Sequence, residues 1–245
     1  MGEKIRLDKM LSNMGKGSRS EMKDALRFGQ IKVNGVTVRT GKDKVDPEKD
    51  VVTYRGEQVA YKKHVYLVLN KPQDVISATE DNHHKTVIDL IDDTYKHYEL
   101  FPVGRLDIDT EGLLIITNDG DLTHQLLAPK KHVPKTYFAS IQGRVTEKEQ
   151  REFAEGIILD DGYRCKPAEL EILSYEAGKS EIELVIHEGK FHQVKRMFEA
   201  VGKKVIFLKR IKMNEMQLPP DLAVGAYREL NEEEFEALTK GLFEV

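Results

Sequence analysis

Apolar side chains recur at helical spacing near the start of the chain and then switch to alternation. Leu7, Met10, Leu11 and Met14 fall at i, i+3, i+4 and i+7, which predicts a short amphipathic helix over Arg6–Met14. A second helix is bounded by its own signals. Ser18 is placed to cap it, Glu21 completes a capping box, and Gly29 ends it. Met22, Ala25 and Leu26 form its buried face, and Arg19, Lys23 and Arg27 repeat every four residues along an exposed one. Then Ile31–Val33 and Val36–Val38 flank Asn34-Gly35, a dipeptide suited to a tight hairpin turn. Val51–Tyr54 and Gln58-Val59 extend that sheet. Residues 60–64 (AYKKH) read as a polar linker.

Beyond the linker the pattern is richer in strands. Val65–Leu69 is a strand stopped by Lys71-Pro72, and Thr86–Ile91 is a helical turn or two. Gly112–Thr117 reads as a buried strand, and Asp121–Leu127 as a short helix closed by Pro129. Thr136–Ile141, Ala168–Leu173, Glu181–His187 and Val205–Met213 are further strands. Helices are expected from Thr146 (with Glu149 as box partner), over Lys190–Val201 up to Gly202, and from Asn231 onward. In the second of these, Phe191, Val194, Phe198 and Val201 form the apolar stripe, leaving His192, Lys195 and Arg196 to face elsewhere. Consecutive strands outnumber helices, so the fold class is α+β with a mixed, largely antiparallel sheet.

Composition adds limits. With 245 residues the prior is two domains of unequal size. No apolar run approaches the ~20 residues of a membrane-spanning helix, and the charged N-terminal stretch lacks a signal peptide's apolar region. One cysteine, Cys165, excludes an internal disulfide, and a reducing cytoplasm is the expected setting. The net charge of −4 hides an asymmetry: residues 1–64 carry +6 and the remainder −10. A phosphate-contacting module joined to a more acidic body has this distribution.

Candidate chemistry concentrates in residues 104–121, GRLDIDTEGLLIITNDGD, where five carboxylates lie beside a buried strand. The spacing of Asp107, Asp109, Glu111 and Gly112 resembles a calcium loop, but the twelfth position is Asn118, which cannot clamp the ion with two oxygens. On an extended segment Asp107 and Asp109 would share a face about 7 Å apart, tolerable for a glycosidase pair, yet nothing else suggests a sugar cleft. An acidic turn capping a strand is the bland alternative. His187 and His192 are spaced one residue too far apart for a zinc helix, so no metal site is expected.

Two resemblances add to this reading. Arg6-Leu7-Asp8, Leu11, Gly15, Ser18-Arg19 and Gly29 through Gly35 are similar to the S4 RNA-binding domain. The 104–121 segment resembles the signature of pseudouridine synthases, in the branch that modifies ribosomal RNA. Leu69–Pro72, Lys135-Thr136-Tyr137 and Gly189–Met197 match its other motifs in order. The resemblance implies an S4 domain over residues 1–60, a linker at 61–64 and a catalytic domain at 65–240. It implies Asp107 as nucleophile, Lys195 as its cationic partner, and Tyr137 as a ring for uracil and a phenol for proton transfer at C5. Arg105 would fill the gap left by the flipped nucleotide, while His192, Gln193 and Arg196 line the RNA path. Arg19, Lys23 and Arg27 would supply phosphate affinity.

No cofactor is required, since the reaction is an isomerisation. The expected partner is ribosomal RNA or the assembling small subunit, the protein is expected to act as a monomer, and the implied target is uridine 516 of 16S rRNA. A large-subunit enzyme of the same family and a non-catalytic assembly factor are the alternatives. In the first motif Asp74 stands where a glycine is usual, which points to a left-handed backbone position that Asp tolerates. Lys195 stands where many relatives have Arg, keeping the charge without the bidentate fork.

Overall fold

The computed structural model describes residues 4–243; Met1, Gly2 and Glu3 of the charged N-terminal stretch lie outside the described residues. The chain forms two compact units, one comprising residues up to 65 plus 92–100, the other 66–91 plus 101 onward.

The first unit holds β1 (Ile5–Arg6), α1 (Leu7–Asn13), α2 (Arg19–Arg27), β2 (Ile31–Val33), β3 (Val36–Thr37), β4 (Lys44–Val45), β5 (Val52–Tyr54) and β6 (Glu57–Gln58). The capping box that starts α2 is complete: Ser18 Oγ accepts from the Glu21 N–H and the Glu21 carboxylate accepts from the Ser18 N–H. Leu7, Met10 and Leu11 of α1 pack with Met22, Ala25 and Leu26 of α2 and with Ile31, Val45 and Val52 in one core. The strands run β3-β2-β5-β6, with Asn34 (φ 51°) and Gly35 (φ 82°) turning the hairpin as the sequence suggests. Residues 92–100, which the sequence division assigned to the catalytic domain, cluster with this unit instead. The Tyr98 hydroxyl reaches the Met14 sulfur at 3.8 Å, and the His97 ring lies against Gly15.

The second unit is built on one nine-stranded sheet. Its strands are β7 (Tyr66–Lys71), β8 (Phe101–Pro102), β9 (Glu111–Thr117), β10 (Lys135–Gln142), β11 (Glu169–Glu176), β12 (Lys179–Ile186), β13 (Lys204–Met213), β14 (Met216–Gln217) and β15 (Tyr227–Glu229). The order is β11-β12-β10-β13-β9-β7-β15, with β14 on β13 and β8 on β9. Every pairing is antiparallel except β13 with β9. The central strands are covered on both faces: Leu67, Val68 and Leu69 of β7 and Leu113 through Ile116 of β9 are all fully buried. Four helices pack on this sheet: α3 (Gly120–Leu127), α4 (Glu147–Glu155), α5 (Gln193–Ala200) and α6 (Glu232–Thr239). The capping box at Thr146/Glu149 and the Asn231 cap form as their sequences suggest, and Glu234 completes a box at Asn231 as well. Among the described residues no helix is long and apolar enough to cross a membrane.

The helix expected over Lys190–Val201 is shorter. It begins at Gln193, because His192 takes a left-handed conformation (φ 49°) that breaks the helical run. Phe191 is therefore off the helix and 74% exposed, and the buried stripe is Val194, Met197 and Phe198. Phe198 packs its ring against Phe153 of α4, 4.8 Å between centroids.

Candidate active site

The loop between β8 and β9 carries Asp107, and it is clamped from below. Lys71, at the end of β7, is fully buried. Its ammonium donates to the carbonyls of Pro72 (2.9 Å), Asp107 (3.0 Å) and Thr110 (2.9 Å). Ser77 holds the preceding residue from the other side, accepting from the Leu106 N–H and donating to the Leu106 carbonyl. Asp74, whose φ of 62° is the left-handed position expected from its missing glycine, donates its N–H to the Ile108 carbonyl. Residues 107–110 are thus a turn, closed by the Thr110 N–H donating to the Asp107 carbonyl, and not the extended segment considered for Asp107 and Asp109. Gly112 follows with φ 106°, and a Cβ there would lie 2.2 Å from the Arg210 carbonyl oxygen. Only glycine lets β9 approach β13 this closely.

Above the turn, one ammonium gathers two carboxylates. Lys195 Nζ lies 3.0 Å from Asp107 Oδ2 and 2.5 Å from Asp109 Oδ1. Burial works against the Lys195 charge, but its hydrogen bonds to Asp109 and Asp107 outweigh that and raise its pKa. Burial likewise pushes the Asp109 carboxyl up, and the bond from Lys195 brings it below the usual range. The His192 ring presents Nε2 to Asp107 Oδ1 at 3.5 Å and stacks on the exposed Phe191 ring at 3.7 Å. Burial lowers the Lys71 ammonium to about 8, although Asp107, Asp109 and Glu111 oppose the change.

Asp107 opens on a cleft lined by Arg105, Leu106, Tyr137, Ile186, His192 and Leu208. Tyr137 is 8% exposed and sits in β10, paired across to β13, while its neighbour Phe138 turns to the other face and meets Phe207. Arg105 is exposed and forms no hydrogen bond or ion pair among the described residues. The cleft continues into a groove that also takes in Ser77, Leu126, Lys135, Tyr163, Glu188 and Arg210.

Two residues expected along the RNA path, Gln193, which lines the cleft, and Arg196, also carry bonds within the protein. Gln193 is 4% exposed; its amide donates to Glu188 and its Oε1 accepts from the Lys190 N–H. Arg196 is held by Asp160 and by Asp161 at 2.7 Å. Both side chains fix loops, because each sits beside carboxylates that sequence spacing did not connect to it. The centre of that loop network is Glu188, which accepts from the Tyr163 hydroxyl (2.7 Å), the Lys166 N–H (2.9 Å) and the Gln193 amide (2.8 Å). Sequence reasoning missed Glu188, Lys71, Lys135 and Arg210 as site components. The available signal was that Lys71 and Lys135 fall inside the Leu69–Pro72 and Lys135-Thr136-Tyr137 motifs, within which the lysines had been given no role. In the first unit Arg19, Lys23 and Arg27 are all exposed and none is in an ion pair among the described residues. Among the described residues no group of three or more His, Cys, Asp or Glu is arranged to hold a metal ion.

An acidic side chain held by a lysine at the mouth of a cleft lined by an aromatic ring and an exposed arginine, with a basic helix on a separate small unit, is a layout suited to an RNA-modifying enzyme. The chain belongs to the RNA pseudouridylate synthase family, whose profile matches residues 65–200, and an S4 domain matches residues 5–52. It is an isomerase of uridine in RNA, in the branch typified by the small-subunit ribosomal enzymes. An uncharacterised RNA pseudouridine synthase of Bacillus subtilis is 47% identical, over 96% of this chain and 99% of that one. Ribosomal small subunit pseudouridine synthase A of Escherichia coli is 38% identical, over 94% and 98%. A crystal structure of a pseudouridylate synthase superposes with a TM-score of 0.66 at 36% identity, covering 96% of this chain and 99% of that one.

Proposed function

We propose that this enzyme converts one uridine of 16S ribosomal RNA, uridine 516, to pseudouridine with Asp107 as nucleophile. The observation that carries the assignment of Asp107 is the 3.0 Å contact from Lys195 Nζ at the mouth of the cleft that Tyr137 lines. The choice of RNA is supported by the 38% identity to small-subunit enzymes over nearly their full length.

The reaction breaks the C1′–N1 bond, turns the uracil and joins C1′ to C5; C5 loses a proton and N1 gains one. A carboxylate suits the attack, and the Lys195 ammonium 3.0 Å away holds its Oδ2 in place at the cleft. The base must leave its stack, at a few kcal/mol. Arg105, exposed and unpaired, is the side chain for the gap, since a guanidinium plane stacks on bases. Tyr137 offers the ring for the everted uracil and a phenol near C5. Arg19, Lys23 and Arg27 track phosphates from the first unit. The enzyme works in this reading as a monomer in the cytoplasm, on 16S RNA or the assembling small subunit.

The test is to incubate the protein with 16S RNA, 23S RNA and assembling subunits and to map pseudouridine. Modification at one 16S position supports the reading. Modification only of 23S RNA replaces its substrate, and none on any of them leaves a ribosome-binding factor.

A further inference from the structure

The groove beside the cleft contains two buried cations that the reaction as described does not use. Lys135 begins β10 and Arg210 lies in β13, directly across from Tyr137. Lys135 is two residues before Tyr137, so Lys135, Tyr137 and Arg210 leave the sheet on the same face. Both cations line the same groove as Asp107 and Arg105. Lys135 is 8% exposed and Arg210 2%.

Their hydrogen bonds are few. Lys135 Nζ donates to the Val133 carbonyl at 3.0 Å and Arg210 Nε to the Leu113 carbonyl at 2.8 Å. Arg210 Nη2 is buried with no hydrogen-bond partner among the described residues. Neither residue is in an ion pair among the described residues. The groove's own carboxylates are committed elsewhere: Asp107 to the Lys195 ammonium, Asp81 to the His83 and His84 N–H groups, and Glu188 to Tyr163, Lys166 and Gln193. Burial first, and then the Arg210 charge, lower the Lys135 ammonium to about 8. Two adjacent buried cations and an idle donor are unfavourable in a protein that needs them only for folding. They are favourable where a ligand brings the negative charge.

We infer that Lys135 and Arg210 form a subsite for a negatively charged oxygen of the bound RNA nucleotide. The inference rests on the cleft being a uridine isomerase site. Such an oxygen has two sources. One is a phosphate of the backbone that threads the groove. The other is a carbonyl oxygen of the uracil itself, which takes up the electron pair of the C1′–N1 bond while detached and holds it until C1′–C5 forms.

The test uses the full chain with Lys135→Met, which keeps length and loses charge, Lys135→Arg, which keeps charge, and Arg210→Lys, which keeps charge and loses the fork. Three quantities are read: thermal midpoint, affinity for substrate RNA, and single-turnover rate at saturating RNA. Lys135→Met is expected to hold or raise the thermal midpoint and to lose at least ~10-fold in affinity or in rate. Lys135→Arg is expected to recover part of that loss, and Arg210→Lys to show a loss of the same kind. A loss confined to affinity identifies the phosphate, and a loss confined to rate the detached uracil. The subsite is overturned if Lys135→Met stays within about twofold in both. It is also overturned if both quantities fall only in step with a lowered midpoint and Lys135→Arg restores nothing. Wild-type protein that modifies no RNA overturns the assigned activity instead, and the subsite is then judged on affinity alone.

Discussion

The buried ammonium of Lys71 lies 3.0 Å from the backbone carbonyl of Asp107, while the Asp107 side chain reaches up to Lys195 on the opposite side. One lysine fixes where the residue is, and another fixes where its carboxylate points.

Removing the lower clamp should therefore be felt in both stability and chemistry. Lys71→Met takes the ammonium donor from the Thr110 carbonyl and leaves the Asp107 carbonyl with the Thr110 N–H alone. A loss of about 1–3 kcal/mol is expected in denaturant unfolding, with turnover reduced by at least ~10-fold. Turnover at the wild-type level would show that the turn holds Asp107 without Lys71.

How far the sequence announced this arrangement depended on the range of each signal. Capping boxes at Ser18/Glu21 and Thr146/Glu149, the Asn231 cap and the Asn34-Gly35 turn were legible because each is written within four residues. The Asp107–Lys195 contact, spanning 88 residues, was reachable only through motif resemblance. Lys71, Lys135 and Arg210 could not be read as site components, since the carbonyls that hold Lys71 come from a turn 36–39 residues away and the groove that Lys135 and Arg210 line is assembled from distant segments, and periodicity carries no trace of either. The false helical start at Lys190 has a local cause. Phe191 fits an apolar stripe by spacing, but the left-handed His192 turns it out to solvent.

A pH prediction follows from the lowered Lys135 pKa. The folded value is about 8 and the ordinary lysine value 10.5. Below about pH 8 both states are protonated and the folded protein carries the full cost of the buried charge. Between the two values the unfolded chain binds more protons than the folded one, so this contribution to stability rises with pH. Lys135→Met should be stabilising by up to about 3 kcal/mol at pH 7, with the advantage shrinking towards pH 10. Unfolding curves at the two pH values check this; an advantage that grows with pH contradicts it.

Arg105 makes no hydrogen bond or ion pair among the described residues. Arg105→Ala should leave stability within about 0.5 kcal/mol and lower activity more on base-paired RNA than on a short single strand, where no stack has to be filled. Equal losses on the two substrates would remove the gap-filling role.

Neutralising Arg19, Lys23 and Arg27 together should weaken RNA binding and flatten its dependence on salt, by roughly 0.7–0.9 in slope for each phosphate that these side chains neutralise in the wild-type complex. An unchanged slope in a salt titration would mean that this helix face does not meet the backbone.

The central claim is that the Asp107 carboxylate attacks the nucleotide. Asp107→Asn keeps the size of the side chain and removes the charge. The direct measurement is single-turnover pseudouridine formation on the wild-type enzyme's own RNA target, with RNA affinity measured alongside. The account predicts a fall of more than about 10⁴-fold in rate with affinity little changed; formation at or near the wild-type rate contradicts it.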